Sequence, residues 1–128
     1  MPGTHAAIRL QRAYDEPTAD DGYRVLVDRV WPRGRTREQL RLDSWARVLA
    51  PSRDLRTWFG HRVERWAEFR ARYRQELSSP DLAARLDELA GRARQGPVTL
   101  VFGAHDREHN QARVIADELA RRLGRPGS

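Results

Sequence analysis

The 128 residues predict a single α/β domain: a small, mostly parallel sheet flanked by helices. Three observations carry that expectation. Tyr23–Val30 holds Val25, Leu26 and Val27 in a row, and Pro97–Phe102 reads PVTLVF; short β-branched runs bounded by turn residues are strands buried on both faces. Between them, apolar residues recur every three or four positions, the spacing of amphipathic helices. Helical crossovers between buried strands lay those strands side by side in parallel.

The elements follow in order. His5–Gln11 alternates Ile8 and Leu10 with Arg9 and Gln11, which predicts a half-exposed first strand. Asp15–Gly22, with Pro17 and an Asp-Asp-Gly turn, reads as a loop. The strand Tyr23–Val30 follows, and Trp31-Pro32-Arg33-Gly34 stops it. Thr36 with Gln39 fits a short capped turn, while Leu42 and Trp45 suit either a short strand or a helix. Ser52 is an N-cap for a short helix through Trp58. Val63, Trp66, Phe69, Tyr73 and Leu77 mark a long helix, and the aromatic stripe on it is read as core.

Ser79 and Pro80 begin the next helix, with Leu82, Leu86, Leu89 and Ala93 facing inward and Gly96 at its end. After the strand Pro97–Phe102, Asp106 is expected to cap a last helix carrying Ala112, Ile115, Leu119 and Leu123 on one side. Met1–Thr4 and Gly124–Ser128 read as frayed ends, so the domain's ordered core is expected over about residues 5–123.

The chain has no cysteine, which excludes disulfides, thiolate nucleophiles and cysteine-held metal sites. Four Trp, three Tyr and three Phe argue against disorder despite 33% charged residues. No apolar run approaches the roughly 20 residues of a membrane helix, and no apolar leader opens the chain, so a cytoplasmic protein with no membrane partner is expected. The net charge is +6, and all 24 basic residues are arginine. They are spread evenly against the acids along the chain, which fits coding bias better than a dedicated nucleic-acid tail.

In open α/β sheets, ligands bind beyond the carboxyl ends of the strands. One such end is Asp28-Arg29-Val30-Trp31-Pro32-Arg33-Gly34; the other is Gly103-Ala104-His105-Asp106. If the two strands are neighbours, Asp28, Arg29, Arg33 and the helix start near Asp106 share one crevice. Arginines suit a phosphate or nucleotide, Gly34 lets a backbone approach closely, and Trp31 offers a stacking face. The structural alternative has Asp28 paired with an arginine, Trp31 in the core and the remaining arginines in solvent. Trp58-Phe59-Gly60-His61 reads either as a helix stop at Gly60 or as an aromatic–histidine wall of the crevice. His105-Asp106-Arg107-Glu108-His109 matches the H-x-x-E-H zinc pattern, but it straddles a strand–helix loop, and a helix-start capping role is the better reading. No metal or other cofactor is expected.

The runs Asp21-Gly22-Tyr23-Arg24-Val25-Leu26-Val27-Asp28-Arg29, Trp31-Pro32-Arg33-Gly34, Leu49-Ala50-Pro51-Ser52, Leu55-Arg56 and Trp58-Phe59-Gly60-His61 resemble the YeaO-like proteins of the domain-of-unknown-function family 488. Arg65-Trp66, Phe69, Tyr73, Glu76-Leu77, Asp106, Glu108, His109 and Asn110 match as well, so the resemblance spans about Ile8 to Leu123. It implies a sheet of the rhodanese–phosphatase type. Other branches carry a Cys at the end of the last strand and a Cys-His-Arg set in the next helix. Here Phe102 stands at the first place, and Asn110, Gln111 and Ala112 stand at the second. The resemblance therefore implies that nucleophilic chemistry has been lost.

Three functional readings follow. In the first, the chain is a non-covalent module for a phosphate-bearing small molecule or nucleotide, with Asp28, Arg29, Trp31, Arg33, Gly34, His61, Asp106 and Asn110 as site residues. In the second, it is a cysteine-independent enzyme acting on a nucleotide or nucleic acid through Asp28 and Asp106. In the third, its arginine-rich faces bind nucleic acid without sequence preference.

Overall fold

Four parallel strands form the sheet: β1 (Ile8–Arg12), β2 (Tyr23–Leu26), β3 (Ser44–Trp45) and β4 (Val98–Phe102), in the spatial order β1-β4-β2-β3. The computed structural model describes residues 7–124. His5 and Ala6 of the expected first strand and the expected frayed ends, apart from Gly124, lie outside the described residues. Among the described residues, five α-helices accompany the sheet: α1 (Arg37–Leu40), α2 (Arg53–Phe59), α3 (Trp66–Leu77), α4 (Pro80–Gln95) and α5 (Gln111–Leu123).

β2 and β4 sit at the centre, so both of their faces are covered. The two-residue period of a strand sends Val25, Val27, Val98, Leu100 and Phe102 to one side. There they meet Phe69, Tyr73 and Leu77 of α3, Leu86 and Leu89 of α4, and Ile115 and Leu119 of α5. The opposite face carries Leu26 and Val101 under a thinner layer of Ala13, Leu40, Trp31, Leu42 and Trp45. That double burial is why the central strands read as continuous apolar runs.

Several boundaries differ from the sequence reading, each for a local reason. β2 ends at Leu26 rather than Val30. The ladder continues only to the Val27 amide, which donates to the Val101 carbonyl at 3.0 Å, and then Asp28 turns toward β4. β3 settles the ambiguous segment as a strand, with Ala46 N–H bonded to the Leu26 carbonyl at 2.8 Å. The crossover from β1 to β2 has no helix beyond the 3-10 turn Ala19–Asp21. Val63 is half exposed on a separate 3-10 turn, so the long helix begins at Trp66.

The last helix is capped by Asn110, not by Asp106. The Asn110 side chain accepts the Arg113 N–H at 3.1 Å, and the helix starts at Gln111. Thr36 and Gln39 form the expected capping box, and Ser52 accepts from Leu55 N–H at 3.2 Å. Ser79 holds the N-cap position without a side-chain cap bond.

Candidate functional site

The parallel pairing of β2 with β4 puts the carboxyl ends of both strands on one edge, and a crevice of about 730 Å³ opens there. Its volume lies within the usual 300–1,000 Å³ range of small-molecule sites. Of the residues expected to converge, Asp28, Arg29, Trp31, Arg33, His61, Asp106 and Asn110 all line it. Gly34 does not. It occupies the third position of a turn closed by Arg35 N–H to the Pro32 carbonyl at 3.3 Å, where its φ of +80° is the conformation glycine tolerates best.

Asp28 forms the floor. Its Oδ2 accepts the Gly103 N–H at 2.8 Å, and its Oδ1 accepts the Gln111 side-chain amide. Burial pushes the carboxyl up to about 6, against the pull of those two hydrogen bonds. Among the described residues, no arginine compensates it. A guanidinium about 4 Å away would stabilise the charge by about 4 kcal/mol at an effective dielectric constant near 20. Yet Arg29, the next residue, donates to the Pro51 carbonyl at 3.3 Å instead.

Around this floor stand three arginines: Arg29, Arg33 and Arg56. All are exposed, and none forms an ion pair among the described residues. Arg33 rides the tip of the turn after Pro32, and that turn is held from three sides. Tyr14 hydroxyl donates to the Arg33 carbonyl at 2.9 Å, Trp31 indole N–H to the Arg35 carbonyl at 2.6 Å, and Arg35 Nε to the Ala13 carbonyl at 2.8 Å. Trp31 also stands edge-on to Trp45, 5.4 Å between centroids. Its N–H is consumed internally, so only its ring is offered to the crevice.

The opposite wall is the loop before α5. Asp106 Oδ1 accepts the backbone N–H groups of Glu108 and His109, both at 2.9 Å, and these donors hold its carboxyl below the ordinary aspartate range. Its Oδ2 holds His109 Nδ1 at 2.9 Å, and the His109 ring meets Trp66 edge-on at 5.3 Å. Asn110 is buried, with Nδ2 donating to the Asp106 carbonyl at 2.8 Å, so both ends of its amide serve the loop and the helix cap. Arg12 Nε bonds the Ala104 carbonyl at 2.8 Å, and Arg107 clamps Asp15 at 2.8 and 3.0 Å. The H-x-x-E-H match lies wholly in this loop. Among the described residues, no three His, Asp or Glu side chains gather as a metal-binding group.

Phe59 and His61 provide a third side. Gly60 stops α2 in the left-handed conformation, and His61 follows with φ of +59°, a strained backbone for a non-glycine residue. The two readings of Trp58–His61 therefore coexist. Trp58 itself lies apart, under the guanidiniums of Arg72 and Arg65 at 4.6 and 5.2 Å.

Sequence reasoning missed Arg56, His109 and Gln111 as parts of the crevice. Arg56 was within reach, because it precedes Phe59 by one helical turn and shares its face. Gln111 needed the true start of α5, which the misplaced cap obscured.

Residues 7–127 match the family model described as the inactive DUF488-N3 subclade. The chain belongs to that family. Within DUF488, it is 44% identical over 92 residues to the uncharacterized protein Rv3073c of Mycobacterium tuberculosis, covering 72% of this chain and 78% of that one. It is 40% identical over 112 residues to the uncharacterized protein YeaO of Escherichia coli, covering 88% and 96%. No solved structure matches the chain. Among the described residues, no helix is long and apolar enough to cross a membrane.

Proposed function

We propose that this DUF488 chain is a non-covalent binding module of the cytoplasm that holds a phosphate-bearing small molecule, a nucleotide in particular, in the crevice beyond β2 and β4. One observation carries the reading: Arg29, Arg33 and Arg56 line a single crevice, and none has a carboxylate partner among the described residues. Guanidinium groups left without carboxylate partners favour phosphate, which they meet with paired N–H donors. The hydrogen bonds from Tyr14, Trp31 and Arg35 support the loop carrying Arg33, so less ordering is required on binding.

The absence of cysteine leaves no thiolate for a covalent step. The resemblance to rhodanese–phosphatase sheets, with Phe102 where relatives carry a Cys, supports an anion site that has kept its position and lost its nucleophile. The description of the subclade as inactive agrees with this.

Isothermal titration with inorganic phosphate and adenosine 5′-monophosphate tests the reading. Wild type should bind in the millimolar range or tighter, and Arg33→Ala should weaken binding about tenfold, as loss of a charge-assisted contact predicts. If neither anion binds at millimolar concentration, the reading fails.

A second reading, acid–base catalysis, is favoured by the Asp106–His109 pair facing the same crevice as a carboxylate with its pKa raised to about 6. It requires turnover of a nucleotide that Asp28→Asn and His109→Ala both abolish.

A further inference from the structure

Asp28 is an odd group to find in a site for anions. It lines the crevice and, among the described residues, has no compensating cation. An ionised carboxylate there repels a bare phosphate, so a crevice for phosphate alone would work better with Asn at this position. The carboxylate is nevertheless held with care. The Gly103 amide and the Gln111 side chain fix one oxygen each, which sets the plane of the group. A Cβ at residue 103 would fall 2.9 Å from Oδ2, so glycine at that position leaves the room this seat needs.

Each carboxylate oxygen can accept two hydrogen bonds, and each accepts one among the described residues. One acceptor position per oxygen is thus left for a ligand, in a partly desolvated site. Buried acceptors left unmatched are costly, so the natural complement is a ligand with two adjacent N–H donors. Apolar surface for a planar ring is at hand in the half-buried Trp31, which lines the crevice.

The geometry points to a ligand that joins an anionic group to a pair of neighbouring N–H donors, the pattern of a guanine-type nucleotide, with Asp28 reading the donor edge while Arg29, Arg33 and Arg56 hold the phosphate. This deepens the proposed function and rests on it. A guanine edge offers N1–H and N2–H2 together. An adenine edge offers one donor beside an acceptor, which faces a carboxylate oxygen unfavourably. Inorganic phosphate has no counterpart for Asp28 at all.

Calorimetric titration at pH 7.5 separates these cases. Guanosine 5′-monophosphate should bind at least about tenfold more tightly than adenosine 5′-monophosphate. Inosine 5′-monophosphate lacks the 2-amino group and should fall between them. That comparison uses the wild-type protein, so it stands whether or not a variant folds. Asp28→Asn should remove the guanine preference while leaving phosphate binding equal or stronger. Equal affinity for the guanine and adenine nucleotides, or an unchanged preference in Asp28→Asn, overturns the inference. If phosphate binds in an Arg33-dependent way without base preference, the anion site stands and only the role of Asp28 falls. If no anion binds, both fall.

Discussion

The carboxylate of Asp28 rests on the main-chain amide of Gly103, with Oδ2 and N 2.8 Å apart. This bond ties the carboxyl ends of the two central strands together and makes the crevice floor a titrating group. In the unfolded chain Asp28 ionises near 3.8, whereas in the folded protein burial moves it to about 6. Between those values the folded state holds the proton more tightly than the unfolded state. Stability from Asp28 is therefore full below about pH 4 and declines as pH rises through 6.

A shift of about two units corresponds to at most about 3 kcal/mol. Asp28→Asn should remove this penalty, so urea denaturation should show the variant gaining stability over wild type at pH 7.5 and gaining little at pH 4. An equal difference at both pH values would show that Asp28 is not strained by its burial.

Other carboxylates act in the opposite direction. Arg107 holds Asp15 below its ordinary value, and the amides of Glu108 and His109 do the same for Asp106. For Asp21, burial pushes upward, but Thr18 and Arg24 outweigh it and the carboxyl is lowered. Their stabilising contribution is present above about pH 4 and disappears as acid protonates them. The stability maximum of wild type is thus expected near pH 4–5, and it should move toward neutrality in Asp28→Asn.

Two glycines with positive φ should respond very differently to alanine. Gly22 has φ of +66°, and an added Cβ would lie 2.2 Å from the Pro97 carbonyl oxygen. That oxygen accepts the Tyr23 N–H at 2.9 Å, so relief requires the starts of β2 and β4 to move apart. Gly22→Ala should cost about 3 kcal/mol or more. Gly34 has φ of +80° but open space around it, so Gly34→Ala should cost about 1 kcal/mol, the conformational penalty alone. Chemical denaturation of both variants measures this, and similar losses would refute the assigned clash.

Much of the fold was legible because the central strands and the helices carry strong periodicity. Val25 to Val27 and Val98 to Phe102 had to be buried on both faces, and the stripes on α3, α4 and α5 had to face a sheet. The convergence of the Asp28 loop with the loop before α5 followed from pairing β2 with β4. What periodicity could not give was local chemistry. Asp106 and Asn110 are both good capping residues by type, and only the loop's hydrogen bonds decide between them. β3 is two residues long, too short for any repeat. The partnership of Asp28 with Gly103 and Gln111 joins residues far apart in the chain, and no spacing rule reports it.

Arg24 is buried within a strand and would be a liability on its own. Nη1 meets Asp21 Oδ2 at 2.7 Å and also bonds Gln11, while Nε donates to the Leu40 carbonyl at 2.9 Å. This network anchors α1 and the β1–β2 crossover to the sheet face that has few helices. Arg24→Ala should destabilise by about 3 kcal/mol, because it leaves the buried Asp21 charge with only Thr18 and the more distant Arg9, at 3.7 Å, as partners. Adding Asp21→Asn to that variant should restore part of the loss. If the double variant is as unstable as the sum of its single changes, the pair is not coupled.

The exchange of roles between Asp106 and Asn110 gives the last test. Asn110 caps α5 and braces the Asp106 carbonyl, so Asn110→Ala removes two hydrogen bonds at a buried position and should cost about 1–2 kcal/mol. It should also loosen the first turn of the helix, where Gln111 holds Asp28. Binding of the guanine nucleotide should therefore weaken along with stability. Asp106 braces only the loop, and its carboxylate is partly exposed. Asp106→Ala should reduce stability less than Asn110→Ala while releasing the His109 ring from its partner, visible as a displaced His109 ring signal in NMR spectra at fixed pH. A larger stability loss in Asp106→Ala would return the capping role to Asp106, and with it the helix start that the sequence alone suggested.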